Sequence, residues 1–369
     1  MSVPVSTLDQ AALQELAVRA GLPRWRGTQL HEAVWRPGAS TLDEVRQLPA
    51  AARTALGAEV RFSTAEVAAE SEADGGATVK LLVRLEGGLT VETVAMETAA
   101  TAGRSHRGTV CVSTQVGCAV GCPFCATGRA GLRRSCTAAE IVDQVRAAGA
   151  ALHRRGLGPV THVVYMGMGE PLANYDATVA SLRLLTREAG IGARRITVST
   201  SGVVPAIDRL AAEGMPVTLA ISLHAADDAL RDRLVPLNRA HPIAALMAAG
   251  TGYAEATGRR LSLEWCLIGG INDSEEQAAR LRGLAHAARA HVNVIPMNHV
   301  DGSPWGPPDR DTTRRFLAAL RGVRTTVRDT RGAGTEAACG QLRASLEPRR
   351  ALLPDGTLGP PRRAVSPRR

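Results

Sequence analysis

Along the first stretch of the chain, apolar residues recur at helical spacing. In LDQAALQELAVRAG they fall three and four apart; Gly21 and Pro23 then interrupt, and RGTQLHEAVW resumes the pattern. STLDEVRQLPAAARTALG adds a third helix, with Ser40 or Thr41 placed to cap it. Residues 1 to about 75 therefore read as a small helical module. The period then drops to two: ATVKLLVRLEGGLTVETVAM alternates apolar and polar residues around Glu86-Gly87-Gly88, a hairpin within a β extension over 76–107. From 108 to 342, β-branched apolar runs (TVCVSTQV, VTHVVYMG, RRITVSTSG, VTLAISLHA, RLSLEWCLIGG, VNVIPMN, RTTVRDTRG) recur among amphipathic segments such as AAEIVDQVRAAGAALHRR. That alternation predicts an α/β core with a parallel sheet and right-handed crossovers, open or curled into a barrel. In such folds the site lies at the carboxyl ends of the strands. Residues 343–369 are Pro- and Arg-rich without periodicity and read as a disordered tail.

Composition narrows the function classes. The 369 residues can bury a sizeable core, and 45% hydrophobic with 21% charged residues excludes a disordered or fibrous chain. No apolar run is long enough to span a membrane and the N-terminus lacks a signal pattern, so a cytosolic protein is expected. Lys and Arg number 44 against 35 Asp and Glu, a net charge of +9 that points to a polyanionic partner such as nucleic acid. The positive charge is almost all arginine, Lys80 being the only lysine. Seven of the arginines lie in 343–369, where they would serve equally well as a solvated tail.

The cysteines change the picture most. There are seven, an odd number, and Cys111, Cys118, Cys122 and Cys125 fall within fifteen residues. Clustered thiols in a cytosolic chain bind metal or do chemistry rather than staple the fold. Cys118-Ala-Val-Gly-Cys122-Pro-Phe-Cys125 follows the first core strand, and three thiolates on one short loop can ligate three irons of a 4Fe–4S cluster, leaving the fourth open to a small molecule. Zinc would want a fourth Cys or His at regular spacing; His106 is the nearest histidine.

This loop resembles the signature of the radical S-adenosylmethionine (SAM) enzymes, in which the open iron binds SAM and an electron from the cluster cleaves it to a 5′-deoxyadenosyl radical. CVSTQVGCAVGCPFCATG, MGMGEPLAN, ITVSTSGVVPAI, AISLHA, LVPLNR, IPMN and VRDTRGAGTEAACGQLR resemble, in order, the blocks of adenine C2 RNA methyltransferases of the RlmN type. The likeness runs over about residues 5–345; relatives of the Cfr type methylate carbon 8. It implies a radical SAM (β/α)6-type partial barrel over 108–342, with a small helix-hairpin-helix-like N-terminal domain that binds RNA. It also implies one 4Fe–4S cluster on Cys118, Cys122 and Cys125, two SAM per turnover, 23S rRNA and possible tRNA substrates, and an electron donor such as flavodoxin or ferredoxin.

The chemistry asks for such machinery, because carbon 2 of adenine is an electrophilic amidine carbon that ordinary polar transfer from SAM does not methylate. By the resemblance, Cys339 carries the methyl group, Cys111 resolves the product by forming a disulfide, and Glu92 is the proton acceptor. Gly169 and Glu170 hold the methionine ammonium, a charge-assisted bond. Ser199, Ser222, Leu223, His224 and Asn298 match the positions that hold the ribose, carboxylate and adenine. Cys136 and Cys266 match no role and read as structural thiols. Trp25, Arg26, Gln29 and Trp35 sit where the family has accessory RNA-binding helices, with the two tryptophans read as packing residues. A carbon 8 methyltransferase would share every catalytic residue named. A non-catalytic iron–sulfur or zinc RNA-binding protein would keep the loop cysteines without needing Cys111 and Cys339.

Overall fold

The computed structural model describes residues 2–36, 39–101, 103, 105–298 and 303–328; Cys339 and the expected tail lie outside the described residues. A ten-stranded sheet organises the chain: β1 (Ala65–Ala73), β2 (Thr78–Leu85), β3 (Thr90–Thr98), β4 (Arg107–Cys111), β5 (Val160–Tyr165), β6 (Ile196–Thr200), β7 (Thr218–Ser222), β8 (Ser262–Leu267), β9 (His291–Pro296) and β10 (Thr325–Val327). The strands lie side by side in chain order. β1 to β4 pair antiparallel and β4 to β10 parallel, so β4 is the seam between two kinds of sheet. Each of the seven apolar runs supplies one parallel strand. The hairpin falls where Gly87 and Gly88 predict it, with Leu85 N–H donating to Leu89 O at 2.8 Å.

Helices fill the crossovers, as parallel strands require: α5 (Ala138–Arg154), α6 (Tyr175–Arg187), α7 (Val204–Ala212), α9 (Ile243–Thr257), α10 (Glu275–Ala287) and α11 (Arg310–Ala319). The short α4 (Ala126–Ala130) and α8 (Asp228–Leu234) lie in the loops. The start of α5 is written locally: Thr137 Oγ1 accepts from Glu140 N–H at 3.2 Å and Glu140 returns a bond to Thr137 N–H at 2.9 Å, a capping box. Val110, Ile141, Val163, Val198, Leu219, Leu263 and Val292 belong to one buried core between sheet and helices.

TVCVSTQV is not one strand. β4 ends at Cys111, and Gln115–Gly117 starts a separate pairing with Leu132–Ser135. The break arises because Ser113 N–H goes to Gln144 Oε1 at 2.9 Å and Thr114 N–H to Met168 O at 2.8 Å.

The N-terminal helices α1 (Gln10–Arg19), α2 (Trp25–Trp35) and α3 (Ala50–Glu59) pack Leu13, Leu16, Leu30, Val34 and Leu56 into a core of their own. Two expectations are corrected here. The third helix begins only after Pro49, with Leu42–Glu44 a single 3-10 turn and neither Ser40 nor Thr41 capping it; a residue before proline is pushed out of helical geometry. The helical reading to residue 75 also overruns. Val60–Arg61 pairs with Val3–Pro4, and the Ala- and Glu-rich 65–73 is the edge strand β1, held by backbone pairing to β2, with only Ala65 and Val67 packing partly buried against the main core. The module docks on α5, where Arg146 donates to Val34 O and Phe62 O at 3.0 and 2.8 Å, and Asp143 accepts from Thr64 N–H and Oγ1–H, both at 2.7 Å. Trp35 packs partly buried, but Trp25 stands 52% exposed with Arg26 stacked 3.9 Å over its ring, so the packing expectation fails for Trp25. Among the described residues no helix is long and apolar enough to cross a membrane.

Candidate active site and cofactor cavity

One cavity gathers the loop after β4 and the carboxyl ends of the parallel strands. Cys118, Cys122, Cys125, Gly169, Glu170, Ser199, Ser222, His224, Glu264, Asn298 and Arg328 all line it, so the sheet curls round this space. The cysteine loop is wound tightly at its root. Gly117 has φ +77° and a β-carbon there would meet Gly131 O at 1.7 Å; the next residue, Cys118, donates its N–H to that same carbonyl at 3.0 Å. Cys125 N–H closes on Cys122 O at 3.1 Å, and α4 begins immediately after.

Burial, and then repulsion from Cys125, pushes the Cys118 thiol up to about 12. Burial followed by Cys125 and Cys118 holds Cys122 well above the ordinary thiol range. A metal bound here would have to displace the protons of these thiols, because its ligands are thiolates. Three thiols of one short loop lining one cavity fit an iron–sulfur cluster, whose ligands each take a different iron.

The strand ends carry polar groups already held in place. Gly169 has φ +102°, and a β-carbon would come within 2.6–2.8 Å of Gln115, so only glycine lets this turn pack down. Glu170 is buried and accepts from Leu172 N–H at 2.9 Å and Ser201 N–H at 2.6 Å. Burial raises its pKa and these bonds oppose the rise. A carboxylate has further lone pairs for an ammonium. Ser199 and Ser222 lie side by side, their hydroxyl oxygens 3.3 Å apart. His224 sits at φ +60°, an uncommon conformation for a side-chain-bearing residue. Its Nδ1 accepts from Cys266 N–H at 2.9 Å, and burial together with Arg231 lowers its pKa to about 3. His224 is therefore neutral with its proton on Nε2, a donor at the cavity wall. Leu223 does not line the cavity; it is buried behind, its carbonyl taken by Arg231 Nε–H at 3.0 Å.

Two residues escaped the reading of the sequence. Arg231 is fully buried and donates to Leu223 O, Ser222 O, Ser201 O and Asn238 Oδ1, bolting the ends of β6 and β7 together. Nothing in LRDRL marks which arginine goes inside. Glu264 lines the cavity with Oε1 held by Ser262 and Asn293 and, among the described residues, no hydrogen bond to Oε2. A carboxylate amid apolar residues in LSLEWCL was its signal. Cys266, expected to be a bystander, also lines the wall, whereas Cys136 is buried outside it.

Glu92 and Cys111 lie elsewhere, on the face of the antiparallel seam. Register places Val94 opposite Cys111 and Lys80 opposite Val94, so Lys80, Cys111 and Glu92 share one face. Thr93, on the other face, bonds Gln144 of α5 at 2.8 Å. Glu97 also faces away from Glu92 and is engaged by His106 at 3.2 Å. Neither Glu92 nor Cys111 lines the cavity, yet the backbone of Glu92 is tied to it: Ser113 Oγ–H donates to Glu92 O at 2.6 Å and receives Met168 N–H at 2.9 Å, one residue before Gly169.

Three thiols beside a ring of polar strand ends define a radical SAM enzyme, and comparison with known proteins agrees. Residues 112–282 match the family model of the radical SAM superfamily. A crystal structure of a radical SAM methyltransferase from Sphaerobacter thermophilus superposes with a TM-score of 0.86 at 45% identity, covering 92% of this chain and 99% of that one. Curated relatives from Parafrankia sp. and Kineococcus radiotolerans, each named probable dual-specificity RNA methyltransferase RlmN, are 45% identical over 92% and 91% of this chain and 91% and 88% of theirs. The chain belongs to the RlmN family of SAM-dependent RNA methyltransferases of the radical SAM class, a class that works with a 4Fe–4S cluster and SAM.

Proposed function

We propose that this enzyme methylates carbon 2 of an adenosine in 23S rRNA, and also in tRNA, through an S-methylated Cys339. The observation that carries the reading is the single cavity where Cys118, Cys122 and Cys125 meet Gly169, Glu170, Ser199, Ser222, His224 and Asn298. A cluster held by those three thiols, when bound, supplies the electron that splits SAM. The rest falls to the chain's own residues. Glu170 accepts from the methionine ammonium, and His224 donates from Nε2 to the carboxylate or ribose. Asn298 reads the adenine edge. Cys339 takes up a methyl group from one SAM and a second SAM starts its transfer, two per turnover. Glu92 accepts the proton leaving carbon 2; Cys111, as the thiolate, attacks the Cys339 sulfur, the sulfur–methylene bond breaks with its electron pair going to carbon, and that carbon takes up a proton to become the methyl group as the disulfide forms. A flavodoxin or ferredoxin supplies electrons in the cytosol. The helical module grips RNA mainly through arginine–phosphate contacts, which makes binding strongly salt-dependent.

The name of the relatives, dual-specificity RNA methyltransferase, supports an RNA substrate of more than one kind. The test is anaerobic reconstitution with SAM, reductant and rRNA or tRNA fragments, followed by mass spectrometry of the nucleosides. The reading expects 2-methyladenosine, lost in Cys339→Ala. A carbon 8 product moves the enzyme to the Cfr type; methylation that survives Cys339→Ala overturns the intermediate; SAM binding without turnover points to a binding protein.

A further inference from the structure

Forty-four residues of this chain are Lys or Arg, and Lys80 is the only lysine among them. Unlike the many arginines at the surface, it lies on the β2 face shared with Glu92 and Cys111, its side chain 16% exposed. Its ammonium nitrogen is 3.5 Å from Oε1 of Glu92, whose side chain is 4% exposed. Such a pair is weak grounds for stability, because desolvating two charges offsets most of their attraction. What it does provide is aim. The Glu92 backbone is clamped from both sides, its carbonyl by Ser113 and its N–H against Met168 Sδ at 3.4 Å, so the carboxylate's remaining freedom is side-chain rotation. A lysine on the neighbouring strand restrains that rotation. A compact ammonium on a flexible stem can follow the carboxylate as its charge changes, whereas a guanidinium would lock it in a two-pronged bond.

We infer that Lys80 is a positioning residue for proton removal: it holds the Glu92 carboxylate on the Cys111 face, charged and turned toward the substrate carbon. This rests on the reading of Glu92 as proton acceptor. In the step concerned the carbon 2–hydrogen bond breaks, its electron pair stays with the ring, and the proton passes to a Glu92 oxygen. Lys80 neither gives nor takes a proton.

The test uses full-length, cluster-loaded enzyme with SAM, reductant and an rRNA fragment, comparing wild type with Lys80→Met, Lys80→Arg, Glu92→Gln and the double variant Lys80→Met/Glu92→Gln. Three quantities are read: kcat and KM for RNA, methylated nucleoside, and the protein–RNA adduct resolved on denaturing gels. Lys80→Met should lower kcat 10- to 100-fold with KM changed less than threefold, and adduct should build up in it and in Glu92→Gln alike. Lys80→Arg should recover part of the rate, and Lys80→Met should add nothing in the Glu92→Gln background. Should Lys80→Met fold poorly, the double variant, which leaves no lone buried charge, and Lys80→Arg still test the coupling. A raised KM with normal kcat would make Lys80 a phosphate contact and overturn the inference, as would wild-type kcat in Lys80→Met or a further loss in the double variant. Normal turnover in Glu92→Gln would overturn the proton-acceptor reading itself, a result distinct from any failure confined to Lys80.

Discussion

The two halves of the sheet place their chemistry differently. In the parallel half, polar groups project from strand ends into a cavity and are fixed by backbone N–H groups, by Arg231 and by each other. In the antiparallel half, Lys80 and Glu92 lie along the bodies of β2 and β3 and share a face of the sheet with Cys111, the last residue of β4. Strand ends offer unpaired backbone groups and loops that wrap a small ligand; a strand face offers a rigid grid with fixed side-chain spacing. Under the proposed roles the cofactor belongs to the first half and proton handling to the second, and Ser113 and Met168 tie the two together.

Substitutions that separate the halves give the largest effects. Cys122→Ala should abolish the iron–sulfur absorbance and all methylation, measured by iron content and product yield, whereas Glu92→Gln should keep the cluster and SAM binding and lose only product. Arg231→Met comes next. It strands the carbonyls of Ser201, Ser222 and Leu223 and should cost about 3–5 kcal/mol in denaturant unfolding, with SAM affinity falling as β6 and β7 lose their bolt.

A smaller effect follows from His224. Its folded pKa of about 3 lies below the ordinary 6.5, so its contribution is complete above pH 6.5 and drains away as pH falls toward 3. At pH 5 the wild type should lose about 2 kcal/mol relative to pH 7.5 beyond any loss seen in His224→Gln, the comparison cancelling the opposite trend of raised carboxyls such as Glu170. The least is expected at the seam between the N-terminal module and the core. His31 and Glu188 meet at 2.8 Å, and His31→Ala should lower stability by about 1 kcal/mol and leave SAM binding unchanged by calorimetry.

Much of this was readable from short segments. Thr137 and Glu140 announced the start of α5, Glu86-Gly87-Gly88 the hairpin, and Cys118-x3-Cys122-x2-Cys125 the metal chemistry, because each depends on residues within a turn or two of one another. Residues 65–73 misled because Ala and Glu carry little strand pattern, and pairing with β2 together with the packing of Ala65 and Val67 made them β. Arg231 was hidden because burial of one arginine among 43 is decided by what packs over α8.

By itself, then, the sequence determined which groups this protein brings to its chemistry and in what order its strands occur. That Ser199, Ser222, His224, Glu264 and Asn298 converge on one cavity, and that the only lysine meets Glu92 across a strand pair, was decided by the tertiary structure alone. Local spacing specifies residue types within reach of one another along the backbone. Convergence depends on parallel register, crossover helices and the burial they impose, none of which is encoded at any single segment.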